Sequence, residues 1–331
     1  MDLSLDRISR AIHVIDPAFL NSPQYVDEEL SRHLGSSVTV KVETVNPVRS
    51  FKGRGTYLAV AEVSPGTHVV CSSTGNFGQG VAFAARSRGL STSVFVPDTI
   101  NPVKRARMEA FGATVIPAGP DATSAQEAAR AFADGGDDRV FLQDGLVPAI
   151  AEGAGTIGLE LVGAGPLDAV VVPVGDGALI SGIGLVLKAH RPETRIIGVT
   201  AAGAQAMHRS FISGRAVTLD RADTIAEGLM IRSPIPESVA RVLELADDFV
   251  VVNDDDLLDA MTLAASTIGV LLEPAGAAGI AAIAGGLVAG ERVATILTGA
   301  NPSPDSLAIV HARLAEAARG AGIPSGASPV E

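Results

Sequence analysis

The sequence predicts an α/β protein built from two parallel sheets, each covered by helices to give three layers. Three observations carry that expectation. Short apolar runs alternate with helical stretches between residues 69 and 142, and a second alternation begins near residue 148. Some of the runs, such as Val170-Val171-Val172, are apolar throughout, as strands buried on both faces are. A chain of 331 residues is long enough for two domains. The expected division places a small domain at residues 63–147 and a large one at residues 1–62 and 148–331.

Residues 1–34 read as a helical, partly irregular lead-in, interrupted at Asp16-Pro17 and Ser22-Pro23. Residues 37–43 alternate as a strand, with Val38, Val40 and Val42 on one face. A helix is expected over 55–63, ended by Ser64-Pro65-Gly66. Strands follow at 69–71, 92–96, 113–117 and 140–142, separated by helices at 75–88, 102–111 and 124–133. Gly89 and Gly112 close two of those helices. The second series reads as helix 153–162, strand 169–174, helix 179–189 and strand 196–199. Asn253 and the three aspartates after it suit a helix start better than a metal cluster. Leu271-Leu272-Glu273-Pro274 leads into an Ala/Gly helix, and 293–297 is the last buried strand. The Gly/Ser/Pro-rich tail from Gly320 reads as frayed.

Composition narrows the function. The formal charge is 25 − 37 = −12, which argues against nucleic acid or an anionic membrane surface as partner. The single cysteine, Cys71, sits in an apolar run and reads as a small buried hydrophobe. The six histidines show no paired metal-ligand spacing. The opening residues have neither a basic start nor an apolar core, and the uncharged run 274–290 is too short and too rich in Gly and Ala for a span, so a cytoplasmic protein is expected.

The chemistry centres on Lys52. The chain has four lysines; Lys41 lies in a strand pattern, Lys104 on a helix face with Arg105 and Arg107, and Lys188 near a helix end. Only Lys52 stands between an aromatic, Phe51, and a glycine, Gly53, just after a Pro-turn. A lysine enclosed in this way can lose its proton and attack a carbonyl. Three further loops fall at carboxyl ends of strands, where parallel sheets bind ligands. Ser72-Ser73-Thr74-Gly75-Asn76 offers hydroxyls and helix-start amides to a carboxylate. Gly175-Asp176-Gly177-Ala178-Leu179 has the small residues that let backbone amides close around a phosphate. Thr298-Gly299-Ala300-Asn301 presents a hydroxyl. An amine for an aldehyde, a loop for a phosphate and a hydroxyl for a ring nitrogen together describe pyridoxal phosphate, with the lysine as its Schiff base. A dinucleotide fingerprint is the rival reading of the glycine loop, but Ile180 stands where its third glycine belongs.

The chain resembles the tryptophan-synthase-β-like group of pyridoxal phosphate enzymes, and within it the threonine/serine dehydratases. Ser50-Phe51-Lys52-Gly53-Arg54-Gly55 is similar to the group's cofactor-lysine motif, and Ser73-Thr74-Gly75-Asn76 to its substrate-carboxylate loop. Gly153-Ala154-Gly155-Thr156-Ile157, Ala226-Glu227-Gly228-Leu229 and Glu273-Pro274-Ala275-Gly276-Ala277 resemble further dehydratase signatures. The resemblance implies catalytic roles for Lys52 and Thr74. It implies cofactor contacts from Phe51, Lys52, Asn76, Gly175, Asp176, Gly177, Ala178, Leu179, Glu273 and Thr298, and substrate contacts from Ser73, Thr74, Gly75, Asn76 and Gly228. It also implies a homodimer and, beside Glu227 and Asp223, a divalent cation. The implied reaction is α,β-elimination from L-threonine or L-serine to a 2-oxo acid and ammonia. β-Replacement, racemisation with Thr74 as acid, phosphate elimination with Arg49 and Arg54 as anchors, and a silent binding protein are the alternatives. Two departures stand out: Phe77 where the family usually has histidine, and Asp176 where it has glycine, whose side chain is expected to turn away from a phosphate.

Overall fold

The computed structural model describes residues 1–320, so the expectation for the tail lies outside the described residues. The elements run in the order α1 (Leu5–Ala11), β1 (Gln24–Val26), α2 (Glu28–Leu34), β2 (Ser37–Val42), α3 (Lys52–Ala61), β3 (His68–Ser72) and α4 (Asn76–Ser87). They continue with β4 (Thr92–Val96), α5 (Pro102–Ala110), β5 (Thr114–Pro117), α6 (Ala122–Asp134), β6 (Arg139–Phe141), α7 (Pro148–Val162) and β7 (Ala169–Pro173). The last are α8 (Ala178–His190), β8 (Arg195–Ala201), α9 (Ala206–Ser213), α10 (Pro236–Leu245), β9 (Asp248–Val252), α11 (Asp254–Thr267), α12 (Pro274–Ala284), β10 (Arg292–Leu297) and α13 (Pro304–Gly320). Among the described residues no helix is long and apolar enough to cross a membrane.

Two sheets organise these elements. The larger has the order β1-β2-β10-β7-β8-β9, and the smaller β5-β4-β3-β6. All pairings are parallel except β1 with β2, where Tyr25 lies opposite Val40. The α/β class with parallel sheets therefore holds, with one antiparallel edge strand inside the stretch expected to be a helical lead-in. β9 and helices α9, α10 and α13 escaped the sequence reading as well. Asp248-Phe249-Val250-Val251-Val252 carries strand character, but it follows directly on an amphipathic helix that supplies no turn signal.

Strand β2 departs from its expected alternation, because five of its six residues are buried. It is an interior strand between β1 and β10, with α2 packed against Val38, Val40 and Val42 through Leu30. Lys41 is buried with it, donating to Ser22 O at 2.8 Å and pairing with Glu160 on α7. The start of α3 was also misplaced: the helix begins at Lys52, three residues before Gly55. The glycines there serve close packing. A Cβ on Gly53 would lie 2.1 Å from the Phe19 ring, and one on Gly55 would lie 2.3 Å from Ile150 O of α7.

Close approach of α3 and α7 encloses Arg54 completely. Its guanidinium donates to Glu43 at 2.9 and 2.7 Å, to Glu160 at 2.6 and 2.9 Å and to Thr156 at 3.1 Å. With Lys41 included, two cations meet two carboxylates. Breaking a buried pair leaves an uncompensated charge, so Arg54→Met should cost about 3–5 kcal/mol, read as a lower urea midpoint. Gly55→Ala should also destabilise, by roughly 1–3 kcal/mol, although alanine is the better helix former. A rise in the Gly55→Ala midpoint would show that the helices can separate at little cost.

Candidate active site

The carboxyl ends of both sheets meet around one cavity of 150 Å³. Strand β2 ends at Val42, and the chain then crosses to Lys52 through a loop organised by Asn46. The Asn46 Oδ1 accepts from Val48 and Ser50 amides at 3.1 and 3.3 Å, while its Nδ2 donates to Glu43 O at 2.9 Å. Arg49 in this loop has φ +53°, a strained value for a side-chain-bearing residue. Its carbonyl accepts from Ala300 N at 2.9 Å, and Phe51 N donates to Thr298 O at 3.0 Å. These contacts fasten the Lys52 loop to the end of β10.

Lys52 opens α3 and projects into the cavity, 4.8 Å from the Phe51 ring centroid. Its ammonium pairs with Asp144, in the loop after β6. The end of β3 supplies Ser73, Thr74, Gly75 and Asn76, and α4 starts at Asn76. Asn76 is held on both sides: its Nδ2 donates to Glu273 at 2.7 Å, and its Oδ1 accepts from Asn301 at 2.7 Å. Burial pushes the Glu273 carboxyl above its usual range, against the Asn301 amide and the Asn76 amide that favour its charge. Thr298, at the end of β10, is buried at the cavity wall.

The glycine loop follows β7 and runs into α8. Gly177 has φ +89°, a backbone position that favours glycine. A Cβ on Gly175 would come within 2.3 Å of Gly228 O, so the loop and the 3₁₀ turn Glu227–Leu229 touch backbone to backbone. The first amides of α8 lack acceptors within the helix, as at any helix start, and Gly177, Ala178 and Leu179 line the cavity.

Most site residues named from the sequence reach this cavity: Phe51, Lys52, Ser73, Thr74, Gly75, Asn76, Gly175, Asp176, Gly177, Ala178, Leu179, Glu227, Gly228, Glu273 and Thr298 line it, whereas Arg49, Arg54 and Asp223 do not. Phe77 is buried at its edge. Several expectations need correction. Asp176 does not turn away; it lines the cavity, where burial and then the charge of Asp144 push its carboxyl up to about 7, against the pull of Lys52. Arg54 is sequestered with Glu43 and Glu160, so it cannot anchor a substrate phosphate. Lys104 is not on a solvated face, because its largely covered ammonium pairs with Glu227. Glu227 is thereby committed to a cation, and Asp223 pairs with Arg221. Among the described residues no three His, Cys, Asp or Glu side chains gather as a metal site.

Two residues of the site were missed. Asp144 contacts Lys52 across 92 positions of sequence, and its only signal is an acid before a glycine at a strand end. Asn301 was read only as part of the hydroxyl loop, yet it ties Asn76 to Val48 O. Cys71 is the inert hydrophobe expected, its thiol pushed up to about 12 by burial.

The residues fit pyridoxal phosphate. An amine, a glycine cradle at a helix start and a buried hydroxyl face one cavity, and any Cβ at Gly175 would collide with its wall. Comparison with known proteins agrees. Residues 16–299 match the family model described as pyridoxal-phosphate dependent enzyme. The chain is 34% identical over 277 residues to an L-threonine ammonia-lyase of Thermotoga maritima, covering 82% of this chain and 69% of that protein. Its fold matches the processed form of threonine deaminase isoform 2 from Solanum lycopersicum with a TM-score of 0.86 and 30% identity, covering 95% of this chain and 90% of that one. It also matches maize serine racemase with a TM-score of 0.87 and 25% identity, covering 96% and 100%. The chain therefore belongs to the pyridoxal-phosphate-dependent enzyme family, in its tryptophan-synthase-β-like branch known as fold type II.

Proposed function

We propose that this enzyme catalyses α,β-elimination from a β-hydroxy amino acid, L-threonine or L-serine, releasing a 2-oxo acid and ammonia, and that it works as a homodimer. The observation that carries this reading is the convergence of Lys52, the Ser73–Asn76 loop and the glycine cradle on one cavity. The names of the Thermotoga and Solanum relatives support the same reaction class.

Lys52, Phe51, Asn76, the 175–179 loop, Glu273 and Thr298 hold the cofactor. When bound, pyridoxal phosphate supplies a carbonyl for an amine and a ring that takes up the electron pair left at the α-carbon. The hydroxyls and amides of Ser73, Thr74, Gly75 and Asn76 bind the substrate carboxylate, and Gly228 leaves room for its side chain. Asn76 is fixed by Glu273 and Asn301, so the loop is organised before substrate arrives. Lys52, as a neutral amine, takes the α-proton. Thr298, buried at the cavity wall, would offer the cofactor a hydroxyl rather than a carboxylate. Phe77 and Leu229 add apolar surface to the cavity wall. Phosphate elimination has little support, since Lys52 is the one cation among the described residues lining the cavity.

Lys52→Ala should lower turnover of L-threonine and L-serine by about 10³-fold or more, measured as 2-oxo acid and ammonia release. Near-normal rates in that variant would end the assignment. A pH effect follows from Asp176. Its carboxyl already holds its proton up to about pH 7, and a phosphate beside it would hold that proton more tightly. Binding then takes up a proton, so cofactor affinity should fall as pH rises above about 7, by up to about tenfold per unit. Asp176→Asn should flatten that slope relative to the parent enzyme, as read by absorbance titration of cofactor-free protein between pH 6 and 8.5. Parallel slopes would remove Asp176 from the cradle.

A further inference from the structure

Helix α5 carries three basic side chains with different partners. Arg105 pairs with Glu109 on the helix's own surface. Lys104 pairs with Glu227 of the cavity wall. Arg107 goes to a neutral group: its guanidinium donates to Oδ1 of Asn301, in the loop after β10. Arg49 and Lys104 line the same hollow as Arg107, outside the cavity, so like charges flank it. It reaches a carboxyl group only through intervening amides.

Those amides form a directed path. Asn301 Nδ2 donates to Val48 O at 3.0 Å and to Asn76 Oδ1 at 2.7 Å, so with Arg107 on its oxygen the Asn301 amide is fully used. A guanidinium only donates and a carbonyl only accepts, so these two neighbours admit one orientation of that amide. Asn76 must then present Oδ1 to Asn301, and its Nδ2 donates to Glu273 at 2.7 Å. The path Arg107–Asn301–Asn76–Glu273 runs from a cation to a carboxyl group with every donor pointing the same way, and bonds aligned like this polarise one another. It passes three times between elements of the smaller sheet, which carry Arg107 and Asn76, and elements of the larger, which carry Asn301 and Glu273. One hydrogen of Asn76 Nδ2 is left over, on a side chain that lines the cavity.

We infer that Arg107 is a positioning residue, which from outside the cavity fixes and polarises, through Asn301, the Asn76 amide that holds the cofactor. This rests on Asn76 as a cofactor contact and not on the elimination chemistry. Without the guanidinium, Val48 O still holds Asn301 Nδ2, but Oδ1 loses its donor and the path loses its positive end. Asn76 then donates more weakly, because a bond assisted by charge has become an ordinary one.

The test titrates the full-length, cofactor-free protein with pyridoxal 5'-phosphate, followed by absorbance. Arg107→Met, which keeps an apolar stem and removes every donor, should raise Kd by about tenfold and shift the absorption maximum of the bound cofactor. Its urea midpoint should hold or rise, because repulsion between Arg107 and Arg49 is relieved. Arg107→Lys, which keeps a charged donor, should recover most of the affinity. Arg107→Gln, a neutral donor, should fall between the two, and it serves if the Met variant fails to fold. Asn301→Ser should weaken binding by itself, and adding Arg107→Met to it should cost less than about twofold more, since the path is already broken. Parent-like affinity and spectrum in Arg107→Met would overturn the inference. So would losses that add in the double variant, which would place the action of Arg107 elsewhere, or weak binding that accompanies a lowered midpoint, which would make its role structural. None of these readouts depends on turnover, so failure of the elimination reading would leave them standing.

Discussion

The arrangement of the site depends on a buried ionic cluster that never touches the cavity. Arg54 lies two residues beyond Lys52 and is wholly enclosed, with Glu43 at the end of β2 on one side and Glu160 of α7 on the other. Lys41 shares Glu160. Taking these charges out of water is expensive, and the cost is offset only while all four keep their geometry. The cluster therefore sets where α3 begins and how it lies against α7. Lys52 inherits its direction from that constraint, as the first residue of a helix whose third residue cannot move.

Glycine makes the constraint achievable. Gly53, Gly55 and Gly153 let α3 meet α7 and the Phe19 ring at distances that no side chain allows. Each costs roughly 1 kcal/mol of helix propensity. Tertiary contact repays it by bringing the guanidinium into a site shaped for it. The same residue type serves differently at Gly175 and Gly177, where tight backbone contact and a left-handed conformation build a cradle at the start of α8. A glycine count alone does not separate the two uses.

Rigid links then join the three walls of the cavity. The Lys52 loop is bonded to the loop after β10 through Phe51 and Arg49, and that loop carries Thr298 and Asn301. Asn301 in turn holds Asn76, which Glu273 secures from the other side. The amine, the amide loop and the hydroxyl are thus parts of one hydrogen-bonded assembly. Asp144 stands apart from it and joins the site through its ion pair with Lys52.

Much of this was legible without coordinates. Alternating apolar runs located most strands, since strands buried on both faces leave a dense signal, and the small-residue loops at their carboxyl ends marked the cavity wall. What escaped was non-local. β1 is too short to show a period, and its pairing with β2 is a tertiary event. Lys41 read only as a strand residue and Arg54 as an anchor for a substrate phosphate, because sequence shows a charge but not its counter-ion. Asp144 and Lys52 are 92 residues apart, and Asp176 was expected to turn outward because repulsion by a phosphate was weighed without the proton that burial lets it keep. The sequence by itself determined the α/β class and the kind of cofactor, and singled out one lysine of four that the structure places in the cavity, because those follow from local periodicity and residue chemistry. Only the tertiary structure decided which charges are spent inside the scaffold and which face the substrate, because the energy of a charge is set by its neighbours in space.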